Sequence, residues 1–503
     1  MISDLVQTLL HKRGITDASE IEKFLKPDFV RDMHDPFLLA DMEQAVERVL
    51  SAIERKEKIA VYADFDCDGI PAAVVTHDFL KKVGHENFEV YIPHRHNEGH
   101  GFHKGAIDTL ASRGASLIIT VDVGITARES AAHARSLGID VIITDHHEIH
   151  GALPEAVAIV NPKREGYPFK DLCGAAVAWK LVQATLARGR ARGILSFVRV
   201  PLEWEKWLLD MVGIATVADM VPLIRENRAL ARYGITVLRK SPRVGIHALC
   251  RKLRMDQRTL SEDDIGFSIA PRVNAASRMD QSELAFRLLS TTDAKEAEAI
   301  ASELEKLNAK RKGVVASLVK EAKKLAHERF PEGAIVVLGN PLWKPALLGL
   351  AANSIMDERG GAVCLWGRDG NGVIKGSCRS DGSVNIVEMF AAAHVDAALE
   401  ESGGHACAGG FSVSNEQVHH LPELFARAID TIGWVVPEAA SYDAEMGLEQ
   451  VTPALLETLL QLAPFGAANK KPLFKISSVH VESVRVYGKA GNHTEIMLAP
   501  TLG

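Results

Sequence analysis

The chain has 503 residues, and at roughly 150 residues per domain this length predicts two to four domains, each with its own core. Its 58 Lys and Arg against 65 Asp and Glu give a formal net charge of −7, which excludes a generally basic coat for nucleic acid and allows only a local basic strip. Apolar residues make up 47%, as in ordinary soluble proteins, and no apolar run approaches the ~18 to 20 residues of a membrane span.

The N-terminal residues and the cysteines both favour a cytoplasmic location. The opening MISDLVQTLLHKRG has neither the basic region nor the apolar core of a signal peptide. The six cysteines are scattered without a C-x-x-C pair, which argues against a zinc knuckle or a disulfide framework. We therefore expect a reduced, cytoplasmic protein without a membrane partner.

Strand-like and helix-like segments alternate between about residues 59 and 162. The apolar runs IAVYAD, FEVYIP, SLIITVD and VIITD are separated by segments with helical periodicity. This alternation predicts an α/β fold with a parallel sheet and helices on its faces. Residues 173–250 are mostly helical in pattern, and we expect them to complete the same domain.

A long helix is predicted from Ser290 to about Phe330, where good helix formers repeat with helical periodicity. Residues 301–330 carry eight Lys or Arg against four Glu. This charge has two open interpretations, a solvated helix face and a strip for nucleic acid. Pro331 and Gly333 mark the change to a second α/β segment that runs to about Val436, and a strand-like tail follows.

Acidic residues follow three of the predicted strands. They are Asp64, Asp66 and Asp68 after the first, Asp122 after the third, and Asp145 with His146 and His147 after the fourth. Because the carboxyl ends of parallel strands meet at one edge of a sheet, these side chains converge. Mutual repulsion would raise the pKa values of the carboxyl groups unless cations were present. The sequence therefore predicts a metal site.

The donor types narrow the choice of ion and of reaction. The run DFDCDG begins like a calcium-binding loop, but the twelfth position from Asp64 is Val75 instead of the required Glu. Carboxylates with imidazoles and no thiolate favour Mn²⁺ or Mg²⁺ over structural zinc. Two adjacent ions suit an in-line displacement at phosphorus, so we expect hydrolysis of a phosphoester or phosphoanhydride.

Many short motifs occur in one order along most of the chain. They are DFDCDG (64–69), HRHNEGHG (94–101), DVG (122–124), DHH (145–147), ADMVP (218–222), ENR (226–228), PRVNAASR (271–278), GSCRS (376–380), GGH (403–405) and PFG (464–466). This set resembles the DHH phosphoesterases, and among them the exonucleases specific for single-stranded DNA. The histidines His94, His96, His100 and His103 could form a separate metal site, but a loop near phosphate is the favoured interpretation.

The resemblance implies a domain order around a narrow channel. The expected segments are an N-terminal helical segment (1–50), a DHH catalytic domain (51–290), a connecting helix (291–330), a smaller α/β DHHA1 domain (331–436) and a partial OB-like β segment (437–503). The last segment is expected to be partial because it stops soon after Gly491-Asn492-His493. We therefore expect a weaker grip on long single strands.

The resemblance also assigns roles to individual residues. The expected metal ligands of two Mn²⁺ or Mg²⁺ ions are Asp64, Asp66, Asp68, Asp122, His146 and Asp219. The expected catalytic residues are His147, which faces the scissile phosphate, and Asp145, which orients a histidine. The expected substrate-binding residues are Arg95, Arg272, Asn274, Arg278, Ser377, Arg379 and His405. Asp219 follows a helix, so it comes from the resemblance alone.

The function that the resemblance implies is a metal-dependent 5′ to 3′ exonuclease. It would hydrolyse single-stranded DNA to mononucleotides in DNA repair and recombination, with a single-strand-binding protein or a helicase as partner. One alternative is a DHH/DHHA1 phosphodiesterase for short oligonucleotides or cyclic dinucleotides. A second is a replication scaffold without activity, which the intact acidic residues disfavour.

Overall fold

The structure is a computed structural model, and it describes residues 3–330, 333, 335–436, 441–477, 479–488, 491 and 493–500. Asn492 and the predicted domain boundaries at residues 331 and 437 lie outside these residues. Within the described part of the chain, no helix has the length and apolar character needed to cross a membrane.

Four α-helices precede the first strand in the described part of the chain. They are α1 (Asp4–Lys12), α2 (Ala18–Leu25), α3 (Phe29–Asp32) and α4 (Met42–Glu54). The Asp17 carboxylate caps α2 by accepting hydrogen bonds from the backbone amides of Ser19 and Glu20. Helices α1 and α2 pack against Leu462 and Phe465 from the far end of the chain. The N-terminal segment therefore joins distant parts of the sequence.

A five-stranded parallel sheet forms the centre of the first domain, which confirms the predicted fold class. Its strands are β1 (Ile59–Ala63), β2 (Phe88–Tyr91), β3 (Leu117–Val121), β4 (Asp140–Thr144) and β5 (Ala158–Val160), in the order β2-β1-β3-β4-β5. Strands β1 and β3 are buried throughout, which explains their unbroken apolar sequence.

Helices cover both faces of this sheet. The connections contain α5 (Gly69–Lys82), α6 (Lys104–Ser112) and α7 (Arg128–Ser136), and α8 (Gly174–Ala191) follows β5. One apolar core joins α4, α5 and α8 to the sheet, and a second core on the opposite face contains α6 and α7. This layered arrangement leaves the carboxyl edge of the sheet open for a site.

A helical region completes the first domain. It contains α9 (Leu195–Val198), α10 (Leu209–Ala218), α11 (Arg225–Leu238), α12 (Val244–Leu253), α13 (Glu262–Asp264), α14 (Ala270–Arg278) and α15 (Ser282–Ser290). Helices α10 and α11 cross closely, since a Cβ on Gly234 would lie 2.4 Å from the Cα of Gly213. This crossing fixes the end of α10, where Asp219 lies.

The predicted long helix is α16 (Ala294–Arg329), which has 36 residues. Its first half buries apolar side chains from Ala297 to Leu307 in the core of the first domain. Its second half buries Leu318, Ala322 and Ala326 in the core of the second domain. A single continuous helix therefore belongs to both domains.

The second domain is built on a five-stranded mixed sheet. Its elements are β6 (Ile335–Gly339), α17 (Pro345–Arg359), β7 (Ala362–Arg368), β8 (Ile374–Ser380), α18 (Ile386–Ala391), α19 (Ala393–Asp396), β9 (Leu399–His405), β10 (Ala408–Val413) and α20 (Leu421–Ile432). The strand order is β6-β7-β8-β10-β9, with only β6 and β7 parallel.

One disulfide bond departs from the sequence expectation. Cys364 on β7 lies directly opposite Cys378 on β8, and the two residues are joined by a disulfide. The sequence excludes only a disulfide framework, and this single pair forms because strand register brings together two cysteines that no short motif connects. The cysteines at 67, 173, 250 and 407 are free.

The C-terminal segment is rich in β-structure, as expected. It contains β11 (Ala444–Met446), α21 (Pro453–Leu460), β12 (Phe474–Ile476), β13 (Val479–Tyr487) and β14 (His493–Pro500). Strands β11 and β12 pair in parallel, and β13 and β14 form an antiparallel pair.

A buried arginine connects the C-terminal segment to the rest of the molecule. The Arg228 guanidinium donates hydrogen bonds to the carbonyl oxygens of Phe24, Leu462 and Ala463. It also stacks on the Phe24 ring, with 3.7 Å between the guanidinium carbon and the ring centroid. Burial lowers the pKa of Arg228 to about 9, so the side chain stays charged at neutral pH. The ENR motif therefore has a structural role here.

We predict that Arg228→Met lowers the free energy of unfolding by about 2 to 4 kcal/mol, because it leaves several buried carbonyl oxygens without a donor. Chemical denaturation monitored by circular dichroism measures the change. Arg232→Met is the matched control, since the Arg232 side chain is exposed and, among the described residues, donates only to the Leu25 carbonyl. Equal stability losses in the two variants would contradict the structural role of Arg228.

Candidate metal centre

Three parallel strands deliver acidic residues to one edge of the first sheet. Ala63, Val121 and Thr144 are paired across β1, β3 and β4, so the residues that follow them lie side by side. These following residues are Asp64, Asp122 and Asp145. The convergence follows from strand register, as the sequence pattern indicates.

The donor atoms of this cluster lie close together around His146. Its Nε2 atom is 3.2 Å from Asp122 Oδ1, 3.6 Å from Asp68 Oδ2 and 3.7 Å from Asp219 Oδ2. Three donor groups have all their ligand atoms within 4.8 Å of one another. They are Asp122-His146-His147, Asp68-His146-Asp219 and Asp64-Asp66-Asp122. All six residues expected to be metal ligands belong to these groups.

Burial and mutual repulsion disfavour the charged forms of these carboxyl groups. Burial is the largest cause, and it raises the pKa of Asp64 to about 6, of Asp68 to about 7 and of Asp219 to about 8. The pKa of Asp122 is raised well above its ordinary value by burial and by the nearby aspartates. Nearby cations would offset this repulsion.

The donor set fits hard divalent cations. The buried atoms Asp64 Oδ1 and Asp122 Oδ1 have no hydrogen-bond partner among the described residues, which is costly for a carboxylate unless a cation is bound. The neighbouring Cys67 is a neutral thiol, because burial raises its pKa well above the ordinary value. Carboxylate oxygens with imidazole nitrogen are the ligands that Mn²⁺ and Mg²⁺ accept.

The backbone around Asp122 is adapted to the crowding. Asp122 has a left-handed φ of 63°, a conformation that Asp tolerates better than most residues. Gly174, the first residue of α8, lies against it, and a Cβ at Gly174 would lie 2.4 Å from Asp122 Oδ1. The amides of Gly174 and Ala175 donate to the two oxygens of Asp68 at 2.6 and 2.7 Å. The amino end of α8 thus stabilises the Asp68 carboxylate through its amides, and its glycine leaves space for Asp122.

Asp145 and His147 form a hydrogen-bonded pair beside the donor groups. His147 Nδ1 lies 2.7 Å from Asp145 Oδ1, and the amide of Ile125 donates to Asp145 Oδ2. Burial opposes both charges, but the hydrogen bond and the charge of Asp145 raise the pKa of His147 to about 9. Hydrogen bonds from His147 and from backbone amides hold the pKa of Asp145 at about 2.

The neighbouring His146 is in the opposite charge state. Burial and the adjacent charge of His147 lower the pKa of His146 to about 4. His146 is therefore neutral at neutral pH, which is the form that binds metal ions. The neutral His146 thus suits metal binding, whereas the raised pKa of His147 suits an interaction with negative charge.

Arg95 and Arg278, two of the arginines expected to bind substrate, lie at the edge of this cluster, and Arg379 lies near Arg278. Arg95 packs over the Phe65 ring, and its Nη1 atom is 3.4 Å from Ser277 Oγ. Arg278 donates to the Ala346 carbonyl of the second domain. Burial, with Arg95, Arg311 and Arg379 nearby, lowers the pKa of Arg278 to about 9.

The other expected substrate-binding residues occupy different environments. Asn274 Oδ1 accepts a hydrogen bond from the Cys67 amide, so Asn274 holds the loop between Asp66 and Asp68. Arg272 forms an ion pair of 2.8 Å with Glu305 on α16. Ser377 lies on β8 next to Arg379, and His405 is exposed on β9.

His405 lies across from the loop that follows β4. Lys163 chiefly, with smaller contributions from His150 and His405, lowers the pKa of Glu148. Glu148 directly follows His147 in the sequence. His405 on β9 of the second domain is therefore close enough to Glu148 to influence its charge.

Three residues outside the expected site also contribute: His100, which the sequence placed in a loop near phosphate, and Gly174 and Ala175. His100 Nε2 is 3.7 Å from Asp64 Oδ1, and its ring lies 5.6 Å from that of His147. Gly174 and Ala175 support the acids through backbone groups, as described above. The signal for His100 was its place in the HNEGHG motif, whereas the glycine and alanine carried no chemical signal of their own.

We predict that Gly174→Ala lowers the affinity for Mn²⁺ at least about tenfold, because the added methyl group displaces the Asp122 carboxylate. Isothermal titration with Mn²⁺ measures the change. Gly105→Ala is the matched control, since Gly105 also lies in the first turn of a helix but has open space around its Cα. Unchanged Mn²⁺ affinity in a folded Gly174→Ala variant would contradict the crowding at Asp122.

Comparison with known proteins identifies three domains in this chain. Residues 58–216 match the DHH family, N-terminal domain; residues 332–433 match the DHHA1 domain; and residues 442–501 match the RecJ OB domain.

Similar proteins cover nearly all of this chain. It is 35% identical to the single-stranded-DNA-specific exonuclease RecJ of Bacillus subtilis, over 99% of this chain and 62% of that protein. It is 30% identical to RecJ of Haemophilus influenzae, over 99% of this chain and 87% of that protein. The chain thus spans less than two thirds of the Bacillus protein.

Solved structures show the same fold. The crystal structure of RecJ from Thermus thermophilus in complex with Mn²⁺ matches 99% of this chain and 69% of that chain, with a TM-score of 0.83 and 26% identity. The Mg²⁺ complex of the same protein matches with a TM-score of 0.75 and 25% identity. The chain belongs to the RecJ family of single-stranded-DNA-specific exonucleases.

Proposed function

We propose that this chain is a metal-dependent exonuclease that hydrolyses single-stranded DNA from its 5′ end and releases mononucleotides. The observation that carries the proposal is the position of the acidic cluster next to three arginines. Among the described residues, Arg95, Arg278 and Arg379 have no carboxylate within ion-pair distance. Unpaired guanidinium groups beside a metal site suit a phosphate substrate.

The proposed ligands of two Mn²⁺ or Mg²⁺ ions are Asp64, Asp66, Asp68, Asp122, His146 and Asp219. When bound, such ions activate a water molecule and offset the charge that develops on the phosphate. Asp122 belongs to two of the three donor groups, which suits a carboxylate shared between two ions. The Mn²⁺ and Mg²⁺ complexes of the Thermus protein support this assignment.

His147 is the proposed catalytic residue that faces the scissile phosphate. Its Nδ1 atom is held by Asp145, so its Nε2–H is available to a phosphate oxygen. The hydrogen bond and charge of Asp145 raise the pKa of His147, which favours the protonated ring that stabilises negative charge on that oxygen. Asp145 is the proposed positioning residue, because it fixes the ring orientation and the charge.

The proposed anchor for a terminal phosphate consists of Arg95, Ser377, Arg379 and His405. Arg379 Nη1 donates to the Cys378 carbonyl at 2.7 Å, which helps to orient the guanidinium. A guanidinium can bind two oxygens of a terminal phosphate at once. The proposed additional substrate contacts are Arg272, Asn274 and Arg278, although Arg272 and Asn274 also make the structural contacts given above.

Two contacts between the domains lie on segments near the cluster. Lys344 pairs with Asp280 at 2.7 Å, and Asn371 Nδ2 donates to the Asn97 carbonyl at 2.7 Å. These contacts lie on segments that border the arginines and the histidine loop. We propose that these contacts narrow the opening so that it admits a single strand and not a duplex.

We also propose the domain boundaries 1–50, 51–290, 291–330, 331–436 and 437–503. The matches to the DHH, DHHA1 and RecJ OB domains fall inside three of these segments. Limited proteolysis with mass spectrometry tests the proposal, since early cuts within 51–290 would contradict it.

The proposed setting is DNA repair and recombination in the cytoplasm, with a single-strand-binding protein or a helicase as partner. An enzyme that needs single strands depends on a reaction that separates or protects them. The test is degradation of a blunt duplex, with and without a helicase and ATP. Equal rates in the two reactions would contradict a helicase partner.

We predict that, with Mn²⁺, a 5′-labelled single strand of DNA releases labelled mononucleotide at the earliest times, whereas a 3′-labelled strand shortens progressively. Gel analysis of product length separates the two patterns. EDTA should stop the reaction and added Mn²⁺ should restore it. Asp122→Asn should abolish cleavage, since Asn keeps the left-handed backbone but removes the shared charge.

The same assay distinguishes the other outcomes. Early mononucleotide release from the 3′-labelled strand would reverse the proposed polarity. Cleavage of only the shortest oligonucleotides would instead indicate a short-oligonucleotide phosphodiesterase.

We predict that Arg379→Ala reduces the preference for a 5′-phosphorylated end over a 5′-hydroxyl end by about tenfold or more, since a charge-assisted contact contributes roughly 1.5 to 3 kcal/mol. The ratio of kcat/KM for the two substrates measures the preference. Arg368→Ala is the control, because Arg368 lies in the same sheet but binds Asn415. An unchanged ratio in Arg379→Ala would show that Arg379 is structural.

A further inference from the structure

A second concave site lies at the opposite end of α5 from the metal centre. This cavity has a volume of about 740 Å³, and its walls come from the end of α5, the 3₁₀ helix Trp204–Leu208, the segment after α11 and the segment between α15 and α16. Helix α5 begins at the metal-binding loop and has 14 residues, so its ends lie about 20 Å apart. The cavity is therefore separate from the proposed active site.

Aromatic and apolar groups line part of this cavity. The indole rings are those of Trp204 and Trp207, and Trp207 is 51% exposed to solvent. Leu208, Pro242 and Val244 add apolar surface. A large exposed indole at a concave site offers a flat surface on which a planar ring can stack.

Positive charge surrounds the same cavity. Lys81, Lys82 and Lys240 are exposed on its wall, and the described structure gives none of them an ion pair. Lys82 Nζ lies 5.5 Å from the Trp204 ring centroid.

The two acidic residues of the cavity, Asp78 and Asp210, are both paired with one arginine. Arg243 pairs with Asp78 at 2.6 Å and with Asp210 at 2.8 Å. Asp78 also contacts His77, at 2.8 Å from its Nδ1 atom. The three lysines therefore remain available to an anion.

We propose that this cavity binds a free nucleoside phosphate, with the base stacked on Trp207 and the phosphate held by Lys81 and Lys240. The cavity combines an exposed indole ring with lysines that have no ion pair. Its ligand should therefore carry a planar ring and an anionic group close together. The volume lies within the range of roughly 300 to 1,000 Å³ that is usual for small-molecule sites. The hydroxyl groups of Ser290 and Thr292 on the wall suit the polar edges of a sugar or base.

The concave shape favours a single nucleotide over a continuous strand. A surface that binds single-stranded nucleic acid needs a positively charged groove along several phosphates. The three lysines here surround a single cavity instead. The site goes beyond the proposed exonuclease reaction and does not depend on it, because none of its residues touches the metal centre.

The test is a calorimetric titration of the full chain with deoxyadenosine monophosphate in the presence of Mg²⁺. We expect saturable binding that Trp207→Ala weakens about tenfold or more, as loss of a stacking surface would. The double variant Lys81→Gln/Lys240→Gln should weaken it similarly. Trp434→Ala is the matched control, because Trp434 is 54% exposed and lies in another part of the chain.

Cleavage of a short single strand provides an independent readout. Trp207→Ala should leave its rate unchanged, which shows that the variant is folded and that the active site is intact. Loss of nucleotide binding with normal cleavage supports the proposal. Failure of the chain to cleave DNA at all would contradict the proposed function and leave the binding result unaffected.

Four further ligands separate the competing chemistries. Deoxyribose 5-phosphate and inorganic phosphate test recognition of the base, and we expect both to bind more weakly than the nucleotide. A ten-nucleotide oligothymidylate tests whether the cavity instead binds single-stranded DNA. An acidic peptide with an aromatic residue tests whether it instead binds a segment of another protein. The proposal is overturned if the fragments bind as tightly as the nucleotide, if Trp207→Ala has no effect, or if only the oligonucleotide or the peptide binds through Trp207.

Discussion

Repulsion among buried carboxylates is the constraint on which the rest of the structure depends. Asp64, Asp68 and Asp122 are almost fully buried within a few ångströms of one another, and Asp219 adjoins them. The protein offsets part of this repulsion with backbone dipoles, because the amino end of α8 donates two amides to Asp68. One oxygen of Asp64 and one of Asp122 have no hydrogen-bond partner among the described residues, so bound cations must offset the rest of the repulsion. Metal binding should therefore stabilise the folded chain as well as serve the reaction.

Much of the first domain serves to hold this cluster in place. Asn274 on α14 fixes the loop between Asp66 and Asp68 through the Cys67 amide. The glycine contact between α10 and α11 sets the end of α10 and hence the position of Asp219. The helical region after the sheet supplies only one proposed ligand, yet it determines where three of them lie. Substitutions far from the donor atoms can therefore alter metal affinity through the backbone.

The sequence predicted those features that depend on local periodicity. The parallel sheet and the long helix α16 follow from apolar spacing, and the convergence of Asp64, Asp122 and Asp145 follows from their place after parallel strands. Asp219 could not be found this way, because it reaches the cluster from the end of a helix whose direction depends on tertiary packing. The pairing of Cys364 with Cys378 and the contacts of Arg228 also depend on tertiary register, which single-sequence patterns do not contain.

Part of the proposed phosphate anchor belongs to the second domain, and α16 determines its separation from the acidic cluster of the first domain. The acidic cluster lies on the first sheet, whereas Arg379 lies on β8 of the second. Because α16 buries side chains in both cores, bending it would expose apolar surface in at least one of them. Arg278 adds a direct link, since it lies among the arginines of the first domain and donates to the Ala346 carbonyl of the second. The distance between the metal ligands and the phosphate anchor is thus set by packing along one helix, and a substrate phosphate must fit that distance to contact both.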